Sequence, residues 1–242
     1  MNIRIQEWLH RPAQTAGTLS ADDVHVWHWR HQAAFADGAD PSRVLSLDER
    51  ARAARFLVEK PRTEFVATRS TLRAILGSYT GIAPEGLSFR YSDRGKPALA
   101  TNQQLCFNIS HSEGLSALAV VLGREVGVDI EWIRPDVEAA ALAQRFFSAN
   151  ERARLLQLKT EQLTPAFFRC WTRKEAYIKA RGDGLSLALD SFDVALETGS
   201  QSALLGTRPD AAEADHWTLS DLHLLDGYAA AIALSSSRNL LA

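Results

Sequence analysis

A short string that occurs twice constrains the fold of this chain more than any other feature. Residues 46–52 read SLDERAR, and residues 148–154 read SANERAR. Each copy begins with serine and continues with acidic residues, the pattern of a helix N-terminus. The same order of strand, helix and second helix surrounds both copies, so we expect a duplicated unit of roughly a hundred residues. Chance is the alternative, because ERAR is a common helical string.

The apolar pattern and the repeat predict an α+β protein with two similar α/β halves. The halves are residues 1–124 and 125–242, packed as one unit. Apolar residues at every second position indicate strands, and apolar residues at every third or fourth position indicate helices. Predicted strands are 24–30, 87–92, 105–110, 115–122, 126–133, 191–196, 217–224 and 228–234; predicted helices are 48–57, 62–78, 137–146, 150–158 and 165–180.

Two finer expectations concern the register of the repeat and the connections. Thr68-Arg69 matches Thr172-Arg173, which places a two-residue insertion between the copies. HSEG, residues 111–114, is a hairpin turn signal between two predicted strands. Residues 206–215 are polar and are predicted to form a surface loop.

Two acidic residues share one face of the predicted strand within GVDIEW, residues 127–132. Asp129 and Glu131 are two positions apart, so their side chains point the same way. Like charges this close repel, and acidic residues are poor strand formers. The pair therefore indicates either a wet, polar sheet face or a bound cation. Trp27 and Trp29 hold the corresponding positions of the other half, so only one half would carry the charged chemistry.

A third carboxylate lies in FFRCWTRKEAYIKARGDGLS, residues 167–186. Trp171, Glu175 and Ile178 share one face of a helix at spacings of four and three. A glutamate on a stripe that faces the core needs a partner, and Mg²⁺ takes oxygen ligands. A surface ion pair between Glu175 and Lys179 is the simpler alternative.

Cations and hydroxyl groups that suit an anion recur at two places. One is the turns that contain Lys96 and the pair Ser110-His111, where turn amides assist. The other is a basic stripe on one helix: Arg62, Arg69 and Arg73. A solvated helix face and a turn histidine without a role are the alternatives. For Glu151, as for Glu49, a first-turn glutamate favoured by the helix dipole is the alternative.

The totals exclude several classes of protein. The 242 residues carry a net charge of −2, from 27 Lys and Arg against 29 Asp and Glu, so nothing indicates nucleic-acid binding. No apolar run is long enough to span a membrane or to form a signal core. Cys106 and Cys170 have no CxxC spacing, which favours free thiols and a cytoplasmic protein. The sequence contains no G-x-S-x-G motif, so it gives no support to a serine hydrolase.

Five motifs occur in order: GKP, FNISHS, GVDIE, RFFS..E and WTRKEAYIKARGDGLS. Together they resemble the Sfp-type 4'-phosphopantetheinyl transferases, over residues 45–194. GVDIE followed some forty residues later by W-x-x-K-E-A-x-x-K is specific, whereas each alone is weaker. The family's N-terminal strand and C-terminal hairpin also fit. The resemblance implies a pseudo-dimer of two similar α/β halves with the active site in the cleft between them.

The resemblance implies the reaction and its metal. The enzyme would transfer phosphopantetheine from coenzyme A to a serine of an apo acyl or peptidyl carrier protein and release 3',5'-ADP. Asp129, Glu131 and Glu175 would bind Mg²⁺, with Mn²⁺ as the alternative ion. Carriers of fatty-acid, polyketide or nonribosomal-peptide synthesis, and hence secondary metabolism, are all compatible with the chain.

The resemblance also assigns roles to the cations and to the remaining acid. Glu151 would be the base, Lys179 would steady the pyrophosphate or protonate the leaving group, and Lys174 would assist with charge. Residues expected to grip coenzyme A are Lys96, Ser110, His111, Arg52, Arg62 and Arg69, with the register of the arginines open. Glu49 stands where some relatives carry a lysine.

The resemblance implies a carrier protein as the partner, and other functions stay open. The carrier is acidic and should dock near residues 146–158, steered by Arg145, Arg152 and Arg154 and anchored by Leu155 and Leu156. A monomer is expected from the duplication. A coenzyme A-binding or carrier-binding protein without turnover and a metal-dependent phosphohydrolase are the alternatives. Retention of Asp129, Glu131, Glu175 and Lys179 favours the transferase.

Overall fold

The computed structural model describes residues 2–10, 14–35, 38, 40–199 and 203–236. The N-terminal part contains β1 (Asn2–Glu7), β2 (Asp23–Arg30), α1 (Leu47–Ala54), α2 (Glu59–Thr80), β3 (Phe89–Tyr91), β4 (Pro97–Leu99), β5 (Leu105–Ser112) and β6 (Leu115–Leu122). The C-terminal part contains β7 (Val126–Trp132), α3 (Ala139–Phe146), α4 (Ala149–Leu155), α5 (Thr160–Arg181), β8 (Phe192–Val194), β9 (Leu204–Thr207), β10 (Trp217–Leu222) and β11 (Tyr228–Ser235). Within these ranges no helix combines the length and apolarity needed to cross a membrane.

Two sheets form the centre of this α+β fold. The first has the order β1-β2-β6-β5, and the second, antiparallel throughout, has the order β10-β11-β7. Val24 and Val26 of β2 share one buried cluster with Val128 and Ile130 of β7, so the sheets bury apolar residues against each other. The opposite faces are covered by helices, since α2 packs against the first sheet and α5 against β7 and β11.

The order of elements in the first part recurs in the second. Helices α2 and α5 each have 22 residues, and each ends at a left-handed glycine, Gly81 and Gly182. β2 and β7 each lie beside the long antiparallel strand of their sheet. This correspondence supports the inferred duplication. The boundary between residues 124 and 125 stays a prediction, and residues 1 and 237–242 lie outside the described range.

The predicted register of the second helix pair is wrong. When α2 and α5 are matched end to end, Arg73 corresponds to Lys174, and Thr68-Arg69 no longer corresponds to Thr172-Arg173. Both helices also begin earlier than predicted, and Pro165 lies inside α5 and not at its start. A proline near a helix N-terminus costs few backbone bonds, so tertiary packing overrides it.

Three strands escaped prediction, and one predicted loop is partly ordered. β1 pairs in parallel with β2, β4 forms a short hairpin with β3, and β9 pairs with β8 across an irregular register. β9 and a 3₁₀ turn at Ala212–His216 occupy much of the segment predicted as a surface loop. β4 and β9 have three and four residues, too few to show a period.

The sheets join at a seam between their edge strands β5 and β7. Asn108 Oδ1 accepts a bond from the Val128 N–H at 2.9 Å, and Ser112 Oγ accepts one from the Trp132 N–H at 3.1 Å. An edge strand presents unpaired backbone groups that require partners. Side chains of β5 supply them here, so the two strands lie side by side without a full backbone ladder.

Gly127 allows α5 to approach β7 closely. A Cβ atom at this position would lie 2.1 Å from the Ala176 carbonyl oxygen and 2.3 Å from the Ala180 nitrogen. Both are backbone atoms of a helix, which cannot turn aside as a flexible side chain does. The absent side chain thus sets the spacing between the strand that carries Asp129 and the helix that carries Glu175.

Gly127→Ala should therefore lower the free energy of unfolding by at least about 3 kcal/mol, the upper range for overpacking. Chemical denaturation followed by fluorescence measures this loss. Gly206→Ala is the matched control, because a Cβ there meets nothing within 4 Å and the backbone dihedral is ordinary. Equal stabilities of the two variants would contradict the close approach.

Candidate active site

Asp129 is the most constrained acid of the predicted set. It is 3% exposed, and its Oδ1 accepts bonds from Lys179 Nζ at 2.6 Å and Ser110 Oγ at 2.9 Å. Its Oδ2 is buried and has no hydrogen-bond partner. Buried carboxylate oxygens are rarely left unpaired, so this atom is where a further ligand is expected.

Glu131 and Glu175 share the environment of Asp129. Burial raises the pKa of both carboxyl groups, and the charge of Asp129 raises it further. Ser112 Oγ donates to Glu131 Oε2 at 3.0 Å. The helix-facing side of β7 and the facing side of α5 therefore bring together three carboxylates and one lysine, as the spacing of the motifs predicted.

This donor set fits a hard divalent cation such as Mg²⁺. The free Oδ2 of Asp129 and the mutual repulsion of three carboxylates are the features such an ion would relieve. In the described part of the chain, no group of three or more His, Cys, Asp and Glu side chains is arranged to hold a metal ion as it stands. Lys179 balances the Asp129 charge in this arrangement, and the metal role stays a prediction.

A cleft of about 950 Å³ is lined by the N-terminal part of the chain. His111, which follows Ser110 in β5, lies on its wall, whereas the three carboxylates and Lys179 are not among its lining residues. Of the predicted coenzyme A-binding residues, Arg52, Arg69 and His111 line it. Arg62 is exposed and is not among the lining residues, and Ser110 binds Asp129 and Lys179 instead. Of the arginines whose register the motifs left open, Arg52 and Arg69 lie on the walls of this cleft, and their role in holding coenzyme A stays a prediction.

Glu49 anchors the basic side of this cleft. Its Oε1 accepts from Arg69 Nε at 2.6 Å and its Oε2 from Arg73 Nε at 2.7 Å. Burial opposes ionisation of Glu49, but the charge of Arg69 and the hydrogen bonds of Ser46, Arg73 and Arg69 together lower its pKa. The first-turn position is as expected, since Ser46 and Glu49 form a capping box. The two arginine partners were not foreseen.

Glu151 and Lys174 form a fully buried pair away from the carboxylate cluster. Glu151 Oε1 accepts from Lys174 Nζ at 2.7 Å and from the Val194 N–H at 2.8 Å, while Oε2 accepts from the Ser148 N–H. Lys174 Nζ also donates to two carbonyl oxygens, of Leu189 and Phe192. The pair corresponds to Glu49 and Arg73. Catalytic roles for Glu151 and Lys174 stay predictions, and their contacts here are structural.

Lys96 lies on the far side of its turn from the cleft. Its Nζ binds Glu125 Oε2 at 3.1 Å and the Ala180 carbonyl oxygen at 2.9 Å. Gly95 and Pro97, its neighbours, do line the cleft. A role for Lys96 in holding coenzyme A stays a prediction.

The predicted carrier-docking segment needs one correction. Leu155 is 1% exposed and belongs to the core, so it is unable to anchor a partner, whereas Leu156 is 70% exposed. Arg154 pairs with Glu197, and Arg152 donates to the Gln144 carbonyl oxygen. Neighbouring positions of a helix point in different directions, and the sequence alone does not show which of Leu155 and Leu156 faces the core.

Lys174→Met should lower the free energy of unfolding by about 3–5 kcal/mol, because it leaves the buried Glu151 charge without its cation. Adding Glu151→Leu should recover part of this loss. Denaturant unfolding measures both variants.

Lys60→Met serves as the control, since the Lys60–Glu113 pair has a similar 2.8 Å separation but is exposed. Water screens such a pair, so stability should hardly change. A Lys174→Met protein as stable as the control would contradict the structural role.

Comparison with known proteins identifies the family. A family model described as the 4'-phosphopantetheinyl transferase superfamily matches residues 125–233, and one described as 4'-phosphopantetheinyl transferase, N-terminal, matches residues 32–122. The chain is 40% identical over 231 residues to 4'-phosphopantetheinyl transferase HetI of Nostoc sp., covering 94% of this chain and 93% of that protein.

Two further relatives agree. A putative 4'-phosphopantetheinyl transferase of Synechocystis sp. is 33% identical over 198 residues, 78% of this chain and 79% of that protein. 4'-Phosphopantetheinyl transferase Sfp of Bacillus subtilis is 30% identical over 160 residues, 66% of this chain and 70% of that protein. The motifs, the fold and these similarities lead to one conclusion: the chain belongs to the 4'-phosphopantetheinyl transferase family.

Proposed function

We propose that this enzyme transfers the 4'-phosphopantetheine group of coenzyme A to a serine hydroxyl of an apo acyl or peptidyl carrier protein and releases 3',5'-ADP. One observation carries the proposal. Asp129 has one oxygen bound to Lys179 and the other buried and unpaired, within a cluster of three carboxylates, and its partner Ser110 precedes His111, which lines a large cleft. Phosphoryl transfer depends on positioning and charge neutralisation of this kind.

The cleft suits the nucleotide part of coenzyme A. Its volume is of the size that holds ligands of this class. Arg69 lies in it with its guanidinium over the Phe89 ring at 4.9 Å, and its Nη2 donates to the Tyr91 hydroxyl at 3.2 Å. A guanidinium fixed by Glu49 and an aromatic ring is preorganised for phosphate oxygens. Arg52 and His111 add further donors to the same walls.

Asp129, Glu131 and Glu175 would hold the metal ion. Mg²⁺ or Mn²⁺, when bound, supplies positive charge that neutralises pyrophosphate oxygens. Ser110 and Ser112 fix two of the acids by hydrogen bonds from β5, so the carboxylates are oriented before any ligand arrives. Their burial makes a cation more favourable here than at a surface.

Lys179 is the residue placed to act on the leaving group. Its ammonium lies 2.6 Å from Asp129 Oδ1 and is partly exposed, at 29% of the side chain. The carrier serine hydroxyl would release its proton to a solvent water as its oxygen attacks the β-phosphorus in line, while the bond between that phosphorus and the departing 3',5'-ADP oxygen breaks. Lys179 is proposed to donate a hydrogen bond or a proton to that departing oxygen.

The central test is incubation with coenzyme A, Mg²⁺ and an apo carrier protein, followed by the intact mass of the carrier. The expected result is a gain of one phosphopantetheine. Glu175→Gln and Asp129→Asn should each slow the reaction by at least about 100-fold, as for loss of a group that stabilises transition-state charge. Glu161→Gln, on the exposed first turn of the same helix, is the matched control and should retain activity.

Three outcomes would contradict the proposal. A carrier that lacks its serine but still gains mass would show a different acceptor. No gain with fatty-acid, polyketide or peptide carriers, while coenzyme A still binds, would indicate a binding protein. Release of phosphopantetheine into water without a carrier would indicate a phosphohydrolase.

A further inference from the structure

We propose that Lys96 is a positioning residue that fastens the β3–β4 hairpin to the C-terminal turn of α5. The Lys96 latch consists of the Lys96 ammonium, the Glu125 carboxylate and the Ala180 carbonyl oxygen. It ties one wall of the cleft to the helix that carries Glu175 and Lys179. The latch itself rests on contacts alone, and only its kinetic test rests on the proposed function.

The contacts of Lys96 join parts of the chain that are distant in sequence. Its Nζ lies 2.9 Å from the Ala180 carbonyl oxygen and 3.1 Å from Glu125 Oε2. Lys96 belongs to the N-terminal part, whereas Glu125 immediately precedes β7 and Ala180 lies in the last turn of α5. The Lys96 side chain is 20% exposed. Because water is partly excluded there, these bonds are stronger than the same bonds would be at a fully exposed surface.

The position suits a cation for a second reason. The last carbonyl groups of a helix have no partner within the helix, and the helix dipole favours positive charge there. Gly182 N–H satisfies the Ile178 carbonyl, which leaves that of Ala180 for another donor. Lys96 is that donor.

The hairpin turn also packs on the loop after α5. A Cβ atom built on Gly182 would lie 3.9 Å from Lys96 Cδ, and one on Gly184 would lie 3.6 Å from Arg94 Cδ. The aliphatic parts of the Lys96 and Arg94 side chains therefore lie beside Gly182 and Gly184. The ammonium contact is one part of a continuous contact between the turn and the helix end.

The same hairpin forms a wall of the cleft. Phe89, Tyr91, Gly95 and Pro97 line it, while Lys96 points the other way. Lys179 immediately precedes Ala180 and binds Asp129. A latch at Ala180 thus holds the wall that would contact coenzyme A at a fixed distance from the lysine and carboxylates that would act on it.

Hydrogen exchange of the full chain without ligands tests the latch directly. In Lys96→Met, backbone amides of residues 92–96 and 180–184 should exchange roughly tenfold faster, because local opening becomes easier. Glu125→Gln should accelerate the same amides less, and the double variant should be no faster than Lys96→Met alone.

Lys159→Met is the matched control, since it removes an exposed charge at the other end of α5. Its amides at residues 92–96 and 180–184 should exchange as in the parent. Parent-like exchange of these amides in Lys96→Met would overturn the latch.

Kinetics with coenzyme A and with its analogue lacking the 3'-phosphate separate a positioning role from a phosphate ligand. Lys96→Met should lower kcat roughly three- to tenfold for both substrates. The kcat/KM for coenzyme A divided by the kcat/KM for the analogue should stay unchanged. Lys96→Arg should restore part of kcat. A loss of the preference for the 3'-phosphate would overturn the proposal and make Lys96 a ligand. An inactive parent would refute the proposed function, while hydrogen exchange would still decide the latch.

Discussion

The close approach of α5 to β7 at Gly127 is the contact on which the site depends. Because no side chain stands between them, the backbone of α5 at Ala176 and Ala180 lies directly on the strand. Glu175 and Lys179 are then carried to the face of β7 that bears Asp129. A bulkier residue at Gly127 would lift the helix and separate the carboxylates. The glycine is therefore as much a part of the site as the acids are.

Corresponding strands and helices of the two parts of the chain carry different side chains. On the helix-facing side of β2, Trp27 and Trp29 are buried in an apolar cluster with residues of α2. The same side of β7 carries two acids beside α5. In both parts a capping-box glutamate is neutralised by a cation of the long helix, Arg73 in one and Lys174 in the other. Corresponding elements therefore carry an apolar face in the first part and the acidic residues in the second.

Local patterns predicted much of this arrangement. Period two placed Asp129 and Glu131 on one face, and helical spacing placed Glu175 on a core-facing stripe. The direction of Lys96 and the burial of Glu151 escaped prediction because both depend on packing between elements far apart in sequence. The contact of Ser110 also escaped prediction, because a strand position alone does not show that its hydroxyl donates to Asp129 across the β5–β7 seam. Short strands such as β4 and β9 carry too few residues to reveal a period.

In the proposed function, the seam between β5 and β7, together with α5, would build a cation site at Asp129. Anomalous diffraction from crystals grown with Mn²⁺ and coenzyme A tests it most directly. We expect a manganese peak beside Asp129 Oδ2, with Glu131 and Glu175 around it and the pyrophosphate alongside. A peak elsewhere, or none while coenzyme A is bound and Lys179 still contacts Asp129, would contradict it.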